Sequence, residues 1–223
     1  MERHFSRELD ELRGKLVAMS RAVDEQLDAA YRSLLDGSEE LAKTVIAGDV
    51  RVNDYDTLID AECQRILALT QPVAIDLRLL MAALQINHEL ERIGDIAVNV
   101  AERAIPLVPH RQFVRSTRLA DMAEIARIMV RDSFDAFLHN DPRVAMRVLD
   151  SDDVVDKLDR DLFRHLVGVM EKQHNLIQPA SHLLILSRHL ERLADHATNI
   201  AEDVIFLVNA RVVKHNAPQN HQP

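Results

Sequence analysis

Thirteen residues of this chain are written twice. Leu90-Glu91-Arg92-Ile93-Gly94-Asp95-Ile96-Ala97-Val98-Asn99-Val100-Ala101-Glu102 returns one hundred positions later as Leu190-Glu191-Arg192-Leu193-Ala194-Asp195-His196-Ala197-Thr198-Asn199-Ile200-Ala201-Glu202. In both copies the apolar positions fall three and four residues apart, the period of a helix with one buried face. A duplicated helical period constrains the chain to an all-α fold of two similar halves. Five glycines and seven prolines in 223 residues supply too few turns for a strand-rich alternative. With no Trp and 4% aromatic residues, the core falls to Leu, Ile, Val, Ala and Met.

The periodicity predicts six helices. The first runs from about His4 to Leu35, with Leu9, Leu12, Leu16, Met19, Val23, Leu27, Ala30 and Leu34 along one stripe. Asp36-Gly37-Ser38 stops it and caps a second helix reaching about Leu69, which Gly48-Asp49 is placed to kink. Pro72 opens a third, to about Ala104, ended by Pro106 and Pro109. The fourth covers about Val114–Leu138, the fifth runs from Asn140-Asp141-Pro142 to about Lys172, and the sixth from Gln178-Pro179 to about Val213. Helices one to three match helices four to six: Leu41-Ala42 parallels Val144-Ala145, Val45-Ile46 parallels Val148-Leu149, and Val52-Asn53 parallels Val155-Asp156. The architecture expected is two tandem, pseudo-symmetric three-helix bundles, residues 1–109 and 110–213, followed by a disordered polar tail at 214–223.

A formal net charge of −9 gains nothing from the counterion release that drives most nucleic-acid binding, and suits cations or a basic partner surface. The single cysteine, Cys63, fits a reducing cytoplasm and reads as an inert buried thiol. The start Met1-Glu2-Arg3-His4-Phe5 is too polar for a secretory signal. No uncharged apolar run approaches the ~20 residues that span a bilayer, so a membrane role would have to pass through a membrane-bound partner.

The polar residues of the repeat form a second stripe. At about 100° per residue, Glu91, Asp95, Asn99 and Glu102 lie nearly opposite Ala83, Ile86, Leu90, Ile93, Ala97, Val100 and Ala104. Glu191, Asp195, Asn199 and Glu202 stand in the same relation to Leu183, Leu186, Leu190, Leu193, Ala197, Ile200, Val204 and Leu207. Polar residues opposite a core are what any amphipathic helix shows. Like charges four apart, however, disfavour a helix by a few tenths of a kcal/mol. Both copies keep them and add an amide one turn on, an arrangement that is useful for holding a cation. Carboxylates and an amide oxygen without thiolates make a site for Mg, Mn or oxidised Fe, and Zn is compatible. His88, one turn before Glu91, could add a ligand, although a solvated histidine is the commoner outcome. Glu171 and His174 have the Glu-x-x-His spacing of di-iron bundles but lack a second copy. Arg111, Arg115 and Arg118 could meet an acidic partner or simply be solvated.

The pattern Leu-Glu-Arg-Ile-Gly-Asp followed by Asn-x-x-Glu, duplicated over a three-helix repeat, resembles the PhoU family of bacterial phosphate-uptake and phosphate-signalling regulators. Gln71-Pro72-Val73-Ala74-Ile75-Asp76-Leu77-Arg78 is similar to that family's lead-in to its third helix. The resemblance spans about Leu9 to Val213. It implies two three-helix bundles with multinuclear Fe or Zn clusters at Glu91/Asp95 and Glu191/Asp195, joined less firmly by Asn99, Glu102, Asn199 and Glu202. It further implies a non-enzymatic adaptor. Such a protein restrains the ATPase of a phosphate ABC transporter and holds a sensor histidine kinase in its signal-off state, from the cytoplasmic side of the membrane. A flat metal-bearing face would also allow a homodimer. Family members often carry His directly after the motif Asp. Here His196 keeps that residue and Ile96 does not, so the halves are expected to hold metal differently. The competing reading is a carboxylate-metal bundle enzyme with redox or hydrolytic activity, which would need ligand sets facing inward.

Overall fold

The computed structural model describes residues 2–210, so the expected tail at 214–223 lies outside the described residues. Among the described residues eight α-helices follow one another: α1 (Glu2–Asp36), α2 (Glu39–Gly48), α3 (Val50–Thr70), α4 (Ile75–Ala104), α5 (Arg111–Arg115), α6 (Leu119–His139), α7 (Pro142–Lys172) and α8 (Ile177–Asn209). Among the described residues there is no strand. The first bundle packs α1 and α2–α3 around α4; the second packs α6 and α7 around α8. The two halves then meet chiefly through α4 on α8.

Local chemistry sets the ends. At Gly37 the chain takes φ +68°, and the Ser38 side chain accepts from the Leu41 N–H at 3.2 Å to start α2. In the second half Asn140 closes α6 in the left-handed conformation, Asp141 accepts from the Arg143 N–H at 2.9 Å, and Pro142 takes the first helical position. The expected second helix divides at Gly48-Asp49, while its counterpart α7 is continuous. Asp49 itself keeps helical angles (−60°, −31°), so the break is a bend. Its carboxylate is held by Gln26 Nε2 at 3.2 Å and Asn53 Nδ2 at 2.8 Å.

Other ends differ from expectation. Pro72 does not open a helix. Gln71 and Ala74 both have positive φ, and α4 begins only at Ile75. Ile105–His110 forms a 3-10 turn through Pro106 and Pro109 instead of a plain stop. The expected fourth helix is interrupted at 116–118 between α5 and α6. There Arg115 donates to the Leu35 carbonyl at 2.7 Å and to Asp36 at 2.9 Å, and Arg118 pairs with Asp121 at 3.1 Å, so two of the linker arginines brace this chain's own helices.

The expected apolar stripes are the core. Every stripe residue named above on α4 and α8 is buried, as are those on α1 except Leu9, which is partly buried against it. Burial extends further than one stripe, to Ile96, Ala101, Ala194 and Ala201, because each of these helices is covered on one flank by its own half and on another by the opposite half. Each large apolar side chain fully withdrawn from water contributes roughly 1.5–3 kcal/mol. Two polar seams tie the halves together. Arg127 of α6 reaches Asp24 Oδ1 at 3.1 Å and Asp28 Oδ1 at 2.7 Å on α1; Glu89 of α4 meets His196 Nδ1 at 2.6 Å on α8.

A close approach of α4 to α3 occurs at Gly94, where an added Cβ would lie 3.1 Å from Cγ1 of the buried Val52. The second half has Ala194 at the equivalent place. Gly94→Val should therefore destabilise the protein by about 1–3 kcal/mol through overpacking, measured as a lowered midpoint in urea, whereas an unchanged midpoint would show that α3 yields freely.

Candidate functional site

With α4 buried on both flanks, the only side left for Glu91 and Asp95 borders the groove between α3 and α4. The first wall of that groove is α4. The second wall was missed in the sequence, and it is also acidic: Asp49 at the N-cap of α3 and Asn53, Asp56 and Asp60 along it recur at helical spacing. Its counterpart on α7 is Asp152, Asp156 and Asp159, of which Asp156 and Asp159 act on Glu191 and Asp156 on Asp195 of α8. The signal was present, because the register linking Val52-Asn53 to Val155-Asp156 also carries Asp49 onto Asp152 and Asp56 onto Asp159.

The electrostatics show the walls acting on one another. Burial raises the pKa of Glu91 above the usual carboxylate range; Asp95, Asp56 and Asp49 raise it further, and Arg92 opposes them. Burial likewise lifts Glu191, with Asp95's counterpart Asp195 and then Asp159 and Asp156 adding to it against Arg188. Asp195 is raised by burial and by Asp156, with His196 opposing. Asp56 is raised by burial and Asp60. Four carboxylates drawn from both walls thus resist ionisation because their surroundings are dry and negative.

Buried partners hold the second wall in place. The amide of Asn87, fully buried on α4, donates to Asp56 Oδ1 at 2.7 Å, to the Asp56 carbonyl at 3.1 Å and to Asp60 Oδ1 at 3.1 Å. On α8 the equivalent position is Ser187, whose hydroxyl donates to Asp159 Oδ1.

These donors fit a metal ion. The motif sets are all oxygen, the Oε2 atom of Glu191 is buried without a partner, and like charges crowd the groove. Arginines border the same carboxylates: Arg92 lies 3.4 Å from Glu91 and 3.6 Å from Asp95, and Arg188 lies 3.2 Å from Glu191. Both guanidinium groups are more than half exposed, and exposed pairs are weak, so they do not block a cation held from the groove side.

The rest of each row separates from the pair. Asn99 is rotated about 80° from Glu91, and its amide donates to the Asp95 carbonyl at 2.9 Å. Asn199 lies 3.3 Å from both Glu89 oxygens, at the seam between halves. Glu102 and Glu202 stand eleven residues beyond Glu91 and Glu191, about 16 Å along the helix, too far to share an ion with them. His196 also faces Glu89 across the seam, so Ile96 takes no imidazole away from the first-half groove. Cys63 is buried, with its thiol pushed up to about 12 mainly by burial, as an inert core cysteine would be. A cavity of about 320 Å³ lies at the α1–α6 seam, lined by Val17, Leu90, Phe134 and Leu138 among others, and contains none of the motif carboxylates. Among the described residues, no helix is long and apolar enough to cross a membrane.

Known proteins share this fold. A family model described as "PhoU domain" matches residues 16–104 and again 119–204. A curated relative from Aquifex aeolicus, named as a phosphate-specific transport system accessory protein PhoU homolog, is 39% identical over 209 residues, covering 94% of this chain and 95% of its own. A relative of the same name from Pseudomonas putida is 37% identical over 216 residues, 96% of this chain and 84% of that one. The crystal structure of PhoU from Pseudomonas aeruginosa superposes with a TM-score of 0.87 at 37% identity, covering 93% of this chain and all of that one. The phosphate transport system regulatory protein PhoU from Streptococcus pneumoniae superposes with 0.84 at 27% identity, covering 94% of this chain and 99% of that chain.

The raised carboxylates fix the sign of a pH effect. Their folded pKa values exceed the unfolded ones, so the metal-free fold binds these protons more tightly. It loses stability as pH climbs from the ordinary carboxylate range through the raised values, and the loss persists at neutral pH. Glu191→Gln should therefore raise the melting temperature of chelator-treated protein by a few degrees at pH 7 and by less at pH 4.5. A variant that melts lower at pH 7 would contradict this reading of the groove.

Proposed function

The chain belongs to the PhoU family, and on that premise we propose that it is an accessory protein of a phosphate-specific transport system, restraining phosphate uptake and the phosphate-starvation response with metal ions held in its two acidic grooves. The observation that carries this reading is the groove itself, built twice in register from paired carboxylates on neighbouring helices whose burial and mutual repulsion leave them short of positive charge.

Glu91 and Asp95 supply one wall of the first site and Asp49 and Asp56 the other; Glu191, Asp195, Asp156 and Asp159 build the second. Fe or Zn fits these donors, as do Mn and Mg. A bound ion supplies fixed positive charge that neutralises the carboxylates. The chain's own part is to hold those oxygens on rigid helices, with Asn87 and Ser187 setting the orientation of Asp56 and Asp159. The product is a pair of similar, preorganised faces on one protein. Two such faces suit an adaptor that engages the ATPase of a phosphate ABC transporter and the cytoplasmic part of a sensor histidine kinase. The work is done on the cytoplasmic side and requires no catalytic step by this chain. Nucleic acid is an unsuitable partner for a chain of charge −9.

Deleting the gene should derepress a phosphate-starvation reporter at high phosphate, and wild-type protein should restore repression. Normal repression in the deletion strain would remove the proposal. Protein purified without chelator should contain Fe or Zn, and Glu91→Ala/Glu191→Ala should lose most of it by elemental analysis. Equal metal in both would remove the metal from the reading and leave the regulatory part standing.

A further inference from the structure

The seam between α4 and α8 is written twice in the repeat, and only one end of it is complete. At that end Glu89 of α4 meets His196 Nδ1 at 2.6 Å and Asn199 at 3.3 Å on α8. At the other end the repeat puts His189 of α8 in the place of Glu89, and Ile96 and Asn99 of α4 in the places of His196 and Asn199. The acid is gone there, and Arg103 of α4 stands where the second copy has Asp203. Burial holds the imidazoles of His182 and His189 below their usual range; Arg103 lowers His182 further, and Arg192 and then Arg103 lower His189. Arg103 thus lies across the seam from both rings, and among the described residues no carboxylate is named with the arginines that act on them. Neither Arg103 nor Arg192 makes an ion pair among the described residues, whereas Arg92, the counterpart of Arg192, lies against Glu91 and Asp95. The Nδ1 atoms of His182 and His189 are both buried without a partner.

We propose that Arg103, His182 and His189, with Arg192 at their edge, form a binding site for one oxyanion of the phosphate type, apart from both acidic grooves. The anion takes the place that Glu89 fills at the opposite end of the seam.

The donors carry the argument. His182 and His189 share one face of α8, two turns or about 10 Å apart, and Arg103 reaches in from α4, so an anion on the guanidinium has an imidazole to either side. A neutral ring whose Nδ1 is buried and unpaired keeps its proton on Nε2, because a buried N–H without an acceptor carries its full desolvation cost. Each ring therefore offers one N–H, and the guanidinium offers its fork. Donors arriving from two helices suit the spread oxygens of a tetrahedral anion, whereas a planar carboxylate is satisfied by the guanidinium alone. The rings are partly buried, which strengthens such bonds relative to those in open water. On a chain of net charge −9, a basic cluster left without an acid is where an external anion is least opposed. An anion held from both helices also joins the two halves of the molecule, so that its occupancy sets the stiffness of the joint. Its chemistry is met by free phosphate and by a phosphate monoester carried on a partner.

The site does not depend on metal in the grooves, so the test uses the full chain stripped with chelator, where no bound ion can hold phosphate. Inorganic phosphate, O-phosphoserine and acetate are each titrated to millimolar concentration, with binding read by calorimetry and by the ring resonances of the histidines. At least one of the two phosphates should move the His182 and His189 rings and leave those of His139 and His174 in place. Binding of inorganic phosphate assigns the free ion, and binding of phosphoserine alone assigns a monoester; either upholds the site. Arg103→Gln should weaken binding roughly tenfold or more, the loss of a charge-assisted hydrogen bond. His189→Glu, which writes the acid of the first end into the second, should abolish it, and Arg164→Gln on α7 should leave it unchanged. Where either site variant fails to fold, the wild-type ring shifts decide alone. No movement of the two rings with either phosphate, equal affinity in folded Arg103→Gln, or acetate bound as tightly as the phosphates would overturn the site.

Discussion

The contact between α4 and α8 is the constraint from which the rest of this molecule follows. Each helix is the centre of its own three-helix bundle and also half of the interface between bundles. A helix covered on two flanks has only a narrow arc left for polar groups. Small buried residues such as Ala97, Ala101, Ala197 and Ala201 leave room for close packing around these helices, and Gly94 does the same for α4 against Val52 of α3. The carboxylates of the repeat are confined to the remaining arc, where they meet a neighbouring helix instead of open water. The raised pKa values of Glu91 and Glu191 result from that confinement. On a helix with one covered flank, the same residues would be solvated and the crowding would relax.

That constraint also explains what could be read in the sequence. The stripes on α1, α4 and α8 were legible because a buried face repeats at 3.6 residues whatever it packs against. Caps were legible where side chains make them, as at Ser38 and Asp141. The start of α4 was not: Gln71 and Ala74 adopt positive φ without glycine, so no residue type announced the loop. Glu91/Asp95 and Glu191/Asp195 stood out because they are duplicated in one continuous stretch. Their partners on α3 and α7 are also duplicated, but across a helix that is broken at Gly48-Asp49 in one half and continuous in the other. An acidic row on a surface helix carries no mark of what faces it; only tertiary packing reveals that Asp56 and Glu91 act on each other. The amides and outer glutamates show the reverse failure. Asn99, Asn199, Glu102 and Glu202 share the repeat with the acidic pairs, but rotation and rise along the helix carry them elsewhere.

His196 shows how sequence position and spatial role part company. It adjoins Asp195, and adjacency suggested a shared task. One residue is 100° of rotation, enough to turn the imidazole from the groove to the seam, where it meets Glu89 of the other half. The difference between His196 and Ile96 therefore concerns how the halves are joined. The difference that bears on the grooves lies three positions before each motif glutamate, in His88 against Arg188, one turn back along the same arc.

A protein that crowds carboxylates into a dry groove stores unfavourable energy there when no cation is present. Nothing in the fold requires this: lysines at Asp95 and Asp195 would relieve it and favour the helices as well. Partial relief comes from Arg92 and Arg188, but from the exposed rim, where solvent screens them. The arrangement leaves the carboxylate edges that face the groove uncompensated, as Glu191 Oε2 shows. On the proposed metal reading, such a site would bind a cation with part of the reorganisation already done, because helix packing, Asn87 and Ser187 already fix the carboxylates. It also links stability to occupancy, since an ion bound only by the folded state stabilises that state according to its concentration. On the same proposal, preorganised faces whose charge depends on an ion would give an accessory protein a surface that a partner can read without any change in fold.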